Sequence, residues 1–404
     1  LSEETKDMPK VSSDMEAPKA LNYIEKLVAE LCPGGVEYVE LNKLLNYEQP
    51  GKYTVSSTNY DDSYSTPVLT AGKTFILGYT DEVDGIYAAS KKDPVIIFDD
   101  FTTAFKWVDF NFKIKSTAIK LLTSYNSNTS LKYIYYAMQC IKYETQDHAR
   151  QWISNYSKFL IPLPPVEVQN AIVEILDKFT KLEAELEAEL AARRAQYEYY
   201  RNSLFEDLSG GSEILGDLVQ YVRDKTKSLM KPLEYVGVEN LNVDFQGCTA
   251  SLSTISGTRY IPSDILLGNI RPYLKKMWIS NNEGIAGSDV LVIRIKDEYR
   301  NDIVPKFLYY QLTTSRFVDY NVRNSRGGKM PRGNKKKILE FPIFLPPFAE
   351  QERIVKILDK FDALVNDISS GLPAEIEARR KQYEYYRDRL LTFPRASDST
   401  EHKQ

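Results

Sequence analysis

Histidine and cysteine are nearly missing from this chain of 404 residues, which holds two of the first and three of the second. The cysteines, Cys32, Cys140 and Cys248, are odd in number and far apart. They form neither a disulfide framework nor a zinc spacing, so a reducing, cytoplasmic location is expected. With His148 and His402 alone, a Ser-His-Asp triad or a histidine-based metal site is excluded. No apolar run approaches the roughly 18 residues of a membrane span, and the opening LSEETKDMPK lacks the apolar core of a secretory leader. A dominant charge is missing too. Lys plus Arg number 52 against 56 Asp plus Glu, a net of -4. That balance excludes a uniformly basic coat and leaves room for a local basic face. With 43% hydrophobic and 27% charged residues the composition is globular, and the length suits two or three domains.

What the chain does have is a repeat. LPPVEVQNAIVEILDKF, from Leu163 to Phe179, returns as LPPFAEQERIVKILDKF, from Leu345 to Phe361, with 11 of 17 positions identical. RRAQYEYYRNSL, from Arg193, returns as RRKQYEYYRDRL, from Arg379, with 9 of 12 identical. The offset grows from 182 to 186, so the second copy carries four more residues, around Ser369 to Pro373. Two longer stretches of little mutual identity precede these blocks. They share a skeleton: Lys132–Gln139 answers to Lys306–Thr313, and the strand-like runs from Ser116 and Ser288 correspond. The order is variable module, helix, variable module, helix.

Each repeated block reads as a long amphipathic helix that starts after Pro-Pro, because proline is tolerated at a helix entrance and not inside. The stripe comprises Ile172, Leu176, Phe179, Leu186, Leu190 and Tyr197 in the first copy, and Ile354, Leu358, Phe361, Ile368, Tyr383 and Leu390 in the second. A lone helix of about 40 residues cannot bury such a stripe, so an antiparallel coiled coil of the two is expected, with the modules related by a pseudo-twofold axis. Gly371 and Pro373 predict a kink or a restart in the second helix.

Charge is unevenly spread. Residues 211–342 carry 20 basic against 14 acidic side chains, a net of +6; residues 161–209 carry 5 against 10, and residues 36–160 carry 13 against 14. The densest basic stretch runs from Arg323 to Lys337, where Gly and Pro set a loop holding Arg323, Arg326, Lys329, Arg332, Asn334 and Lys335. Such a loop can follow phosphates and offer Arg forks to guanine edges. A second candidate is Asn269–Trp278, with Arg271, Lys275 and Lys276 interleaved with Tyr273. A solvated loop and a half-buried strand are the plainer accounts of the same residues. In the first module the loop Gln146–Trp152, with His148, Arg150 and Gln151, takes the place of the basic loop. Lys73, Thr80, Thr102, Thr103 and Lys106 are further candidates from other loops.

Several fragments imitate active sites and fall short. Ala71–Thr74 ends like a phosphate-binding loop, but Pro67 stands where that motif needs glycine. LPPF from Leu345 is similar to the Asn-Pro-Pro-Phe of amino-group DNA methyltransferases, yet leucine cannot accept a hydrogen bond from a base. Gly85–Tyr87 lacks the second half of the nuclease motif it evokes. Asp61-Asp62 and Asp99-Asp100 read better as turn residues than as metal ligands.

The two Leu-Pro-Pro helices, the doubled QYEYYR, and the segments Pro94–Phe110 and Ser263–Lys276 together resemble the specificity subunit of type I restriction-modification systems over roughly residues 20 to 393. The resemblance implies an α+β chain with two mixed α/β target recognition domains joined by two long antiparallel coiled-coil helices, and no catalytic or metal site. The expected boundaries are a leader at 1–35, recognition domain 1 at 36–160, a spacer helix at 161–209, recognition domain 2 at 210–342, a second spacer helix at 343–393 and a tail at 394–404. Double-stranded DNA, two methyltransferase subunits and two motor-nuclease subunits are the implied partners. S-adenosylmethionine, ATP and Mg would reside on those partners. Two other readings fit the residues: a self-contained DNA-modifying enzyme fused to recognition modules, and a coiled-coil adaptor that binds no DNA.

Overall fold

The computed structural model describes residues 16–72, 74–125, 129–145, 149–206, 212–226, 232–366 and 371–396. The chain divides into two compact units, residues 1–182 with 379–404, and residues 183–378. Unit 1 contains α1 (Glu16–Leu31), β1 (Glu37–Glu40), α2 (Leu41–Leu44), β2 (Leu45–Glu48), β3 (Thr66–Leu69), β4 (Ile76–Thr80), β5 (Val95–Asp99), β6 (Phe105–Val108), β7 (Lys113–Ile114), β8 (Ile119–Ser124), α3 (Leu131–Gln139), β9 (Leu160–Leu163) and the start of α4 (Val166–Glu206). Unit 2 continues α4 with β10 (Ser212–Ile214), α5 (Leu215–Leu218), β11 (Val219–Tyr221), β12 (Lys225–Thr226), β13 (Leu233–Val236), β14 (Ser251–Ser253), β15 (Gly257–Tyr260), β16 (Ile265–Gly268), β17 (Met277–Ile279), β18 (Gly284–Ala286), β19 (Val290–Ile295), α6 (Pro305–Leu312), α7 (Ser315–Arg323), α8 (Lys335–Leu339), β20 (Pro342–Phe344) and α9 (Phe348–Asn366). The last helix, α10 (Leu372–Leu390), starts in unit 2 and ends in unit 1.

The two plans correspond. A four-stranded antiparallel sheet, β2-β8-β5-β6 or β11-β19-β16-β17, is accompanied by a ribbon, β1-β9 or β10-β20, and by a mixed sheet, β4-β3-β7 or β12-β15-β18-β13-β14. The central strands are largely apolar, and both of their faces are covered. In β5, Ile96 and Phe98 enter one core while Val95 and Ile97 enter the other. In β16, Ile265 and Leu267 take one side and Leu266 the other.

The shared motif explains how each helix is held. As expected, α4 and α9 begin directly after Pro164-Pro165 and Pro346-Pro347. The motif's glutamine is buried in both copies, at 2% exposure for Gln169 and 0% for Gln351. Gln169 Oε1 accepts from the N–H of Ser130, the N-cap of α3, at 3.0 Å, while Nε2 donates to the Pro164 carbonyl at 2.8 Å. Gln351 repeats this with the N–H of Val304, the N-cap of α6, at 2.9 Å, and with the carbonyls of Pro346 and Asp302. A second clasp lies farther along. Asp177 takes the Tyr136 hydroxyl and faces Lys132 at 3.8 Å; Asp359 takes the Tyr310 hydroxyl and faces Lys306 at 2.8 Å. Burial lowers the pKa of the Lys132 ammonium, which lies 4.1 Å from the Trp107 ring centroid.

The apolar stripes of the two repeats pair antiparallel, as expected, and the modules share in covering them. In unit 2, Arg194 meets Val365 while Tyr200 stacks on Phe361, so α4 and α9 run antiparallel there. Tyr197 stacks on Phe361 as well. In unit 1, Phe179 stacks on Tyr386, and Tyr383 donates to Gln139. Ile172, Leu176 and Leu390 are buried in the core of unit 1, whereas Ile354 and Leu358, with half-buried Leu190, belong to that of unit 2. Leu186 is half-buried, and Ile368 lies outside the described residues. The paired helices are thus also built into the two module cores. The second helix is divided as the Gly and Pro required, with α10 restarting at Leu372.

Unit 1 is closed by the far end of the chain. The Val36 N–H donates to Pro394 and its carbonyl accepts from Ala396, while the Tyr38 hydroxyl donates to the Phe393 carbonyl. Gly35, at φ +91°, allows this crossing, because a Cβ there would stand 2.7 Å from the Arg395 and Ala396 backbone.

Candidate nucleic-acid interface

The two basic stretches of unit 2 are far apart in sequence and meet in space. Beyond β16 the chain turns at Arg271, whose φ of +51° is unusual for a side chain with a Cβ. The Arg271 N–H donates to the Pro331 carbonyl at 2.7 Å, and the Gly333 N–H donates to Asn269 at 3.1 Å. Arg326 and Arg332 exchange both backbone hydrogen bonds, at 2.9 and 2.8 Å, which closes a hairpin whose tip holds Lys329 and Met330. Gly327 supplies the φ of +104° that this reversal needs.

Arg271, Tyr273, Arg323, Arg326, Lys329, Arg332 and Lys335 are all exposed there. Arg332 faces Asp289 at 3.2 Å and Arg323 donates to the Asp319 carbonyl; Arg271, Arg326, Lys329 and Lys335 have no acidic partner among the described residues. Lys335 to Lys337 form the first turn of α8, a position where cations oppose the helix dipole.

Other expected contacts are turned inward. Lys275, at φ +52°, points to Glu198 of α4 at 3.4 Å and to Asp244 at 3.9 Å. Lys276 donates to the Val238 carbonyl at 2.7 Å, and the Asn334 side chain is occupied in capping α8. These three side chains hold the loops in place.

In unit 1 a buried ion pair assembles the corresponding end. Asp100 and Lys120, 3.3 Å apart and at 2% and 1% side-chain exposure, lie beneath the loop that follows β5. Asp100 also accepts from the Trp152 N–H at 2.7 Å, and its carbonyl accepts from the Gln151 N–H at 2.7 Å. Thr102, Thr103 and Arg150 are thereby brought to the same end of the module, with Thr102 and Arg150 exposed and Thr103 half-buried. Lys106 is half-buried on β6. Two candidates are withdrawn from the surface: Thr80 and Gln151 are each 1% exposed, and Gln151 is bonded to Tyr143, Asn155 and Ala149. Lys73 and His148 lie outside the described residues.

Asp61 and Asp99 accept backbone N–H groups of their own turns, as expected of turn residues. The three cysteines are free, and burial pushes Cys140 and Cys248 up to about 11, which leaves neither a thiolate at neutral pH. Among the described residues, no group of His, Cys, Asp and Glu could hold a metal, and no helix is long and apolar enough to cross a membrane. Sequence reasoning missed Gln169 and Gln351 as the residues that dock each module on its helix; their recurrence within the repeat was the available signal.

Two modules of one design, each gathering distant loops at one end, define a duplicated recognition protein. The model of the type I restriction modification DNA specificity domain matches residues 33–192 and again 215–378, and the chain belongs to that family. It is 41% identical over 400 residues to the type I restriction enzyme EcoR124I/EcoR124II specificity subunit of Escherichia coli, covering 93% of this chain and 98% of that one. A putative type I restriction enzyme specificity subunit of Haemophilus influenzae is 30% identical over 271 residues, covering 58% of this chain and 63% of the relative. Among solved structures, the type I S subunit from M. genitalium aligns with a TM-score of 0.51 at 14% identity, over 88% of this chain and 96% of that one. A chain from work on assembly and conformational transition of the type I R-M system aligns at 0.52 and 17% identity, over 88% and 97%. At these identities the structural likeness concerns the fold.

Proposed function

We propose that each module reads one half of a bipartite duplex target, that the helices fix the gap between the halves, and that bond-making belongs to other polypeptides. The observation that carries this reading is the repeated clasp. One glutamine and one Lys-Tyr-Asp set dock each variable module on its helix in the same way, so the readers differ while their mounting does not. In the second module the hairpin and the Arg271 turn would face the DNA, with Arg326 and Lys329 on phosphates and Arg271 and Arg332 offering forks to base edges. In the first, Thr102, Thr103, Arg150 and Lys106 would take that part.

The 41 residues of α4 extend about 62 Å at 1.5 Å per residue, long enough to set two half-sites about one helical turn or more apart. The helices would also dock two methyltransferase subunits, with two motor-nuclease subunits joining for cleavage in the cytoplasm. S-adenosylmethionine, ATP and Mg would be bound by those partners, and this chain would be non-catalytic. Exchanging residues 36–160 for those of a relative should change one half of the methylated sequence and leave the other, as mapping of modified bases would reveal. A change in both halves would overturn the modular reading.

A further inference from the structure

The same arginine occurs in both repeats in different company. In unit 1, Arg387 stacks on Tyr383 at 5.7 Å, and its Nε and Nη2 both donate to Asp388, at 2.9 and 2.6 Å. In unit 2 the equivalent Arg201 stacks on the equivalent Tyr197 at 5.1 Å and on Phe245 at 5.6 Å. The residue after it is Asn202, whose side chain is engaged with Ser315. Arg201 is 5% exposed, and its Nε has no hydrogen-bond partner among the described residues. It lines a cavity of about 190 Å³, together with Arg194, whose buried Nε is likewise unpartnered.

The carboxylates around the cavity are each shared with or held by other groups. Glu198 stands 4.0 Å from Arg201 and is shared with Lys275, which also holds Asp244. Asp362 accepts from Asn366 and Tyr197, and burial favours its neutral form. A guanidinium held between two rings, with Tyr197 and Glu198 beside it, still has its in-plane Nε–H for a planar or tetrahedral oxyanion.

We propose that this cavity binds a small oxyanion, which takes on Arg201 the place that Asp388 fills on Arg387 in the other repeat. The volume is too small for a nucleotide and suits inorganic phosphate or a short carboxylate. Because Phe245 and Lys275 belong to loops of the second module and Arg201 to α4, the bound ion would fasten those loops to the helix.

The test is calorimetry of the full chain at constant ionic strength, with chloride replaced stepwise by phosphate or by acetate. A saturable rise in melting temperature is expected, absent in chloride, abolished in Arg201→Met and at least tenfold weaker in Arg201→Lys. Saturation by phosphate assigns the site to inorganic oxyanions, and saturation by acetate alone assigns it to carboxylates. No saturable response to either, or an equal response in Arg201→Met, overturns the proposal. Should Arg201→Met not fold, Arg201→Lys and a direct phosphate titration of the parent chain followed by phosphorus NMR decide it in the same sense.

Discussion

Gln169 and Gln351 each use one amide to satisfy backbone groups on different segments, and no smaller side chain reaches them all. Replacing Gln351 with alanine strands the Val304 N–H and two carbonyls in a buried setting. The expected loss is about 3 kcal/mol, measurable by urea unfolding. A second prediction separates contact from support. Lys329→Ala and Arg326→Ala should each weaken binding to every duplex and lower the salt slope of log affinity by about one. Lys275→Ala should leave that slope unchanged and lower the melting temperature, since its ammonium is bound to Glu198 and Asp244. Fluorescence anisotropy across a salt series reads the difference. Basic residues between Gly and Pro announced the hairpin, and it is exposed. Nothing local announced Lys275 and Lys276, because left-handed turns at Arg271 and Lys275 decide which way those side chains point. Thr80 and Gln151 have the chemistry of base readers, and only the tertiary packing places them inside.

At the scale of elements, the helix entrances after Pro-Pro and the break before Leu372 were legible because proline acts locally. The pairing of the two stripes was legible too, while the module surfaces that share in covering them were not, since a 3.6-residue period is the same whether it faces a helix or the side of a sheet. The buried stripe therefore separates into two cores, with the half-buried positions around Leu186 between them in sequence. Those positions are where a change of length disturbs least. Inserting about one turn there should widen the unread gap in methylated sites and preserve both half-sites, which sequencing of modified bases can check. Gly35→Ala should instead damage unit 1. The strain at φ +91° and the encounter with Arg395 and Ala396 predict a loss of about 1–3 kcal/mol, visible as a lower unfolding midpoint.

At the scale of the whole molecule, unit 2 is one continuous stretch, while unit 1 joins residues up to 182 with those after 378. Removing residues 391–404 takes away the buried Leu391 and Phe393 and the bonds to Val36 and Tyr38. Hydrogen exchange should then show lost protection in unit 1 with unit 2 unchanged. The duplication was plain in the sequence because seventeen- and twelve-residue blocks recur. The interleaving was hidden, because contacts between the two ends of a chain leave no local pattern.

That interleaving sets an order of events at the ribosome. Chains emerge N-terminus first at about 5–20 residues per second, so unit 2 has all its segments before unit 1, whose earlier portion waits for the closing strap beside Val36. The half that is translated first is finished last, and a prematurely terminated product is left with that half open to proteolysis.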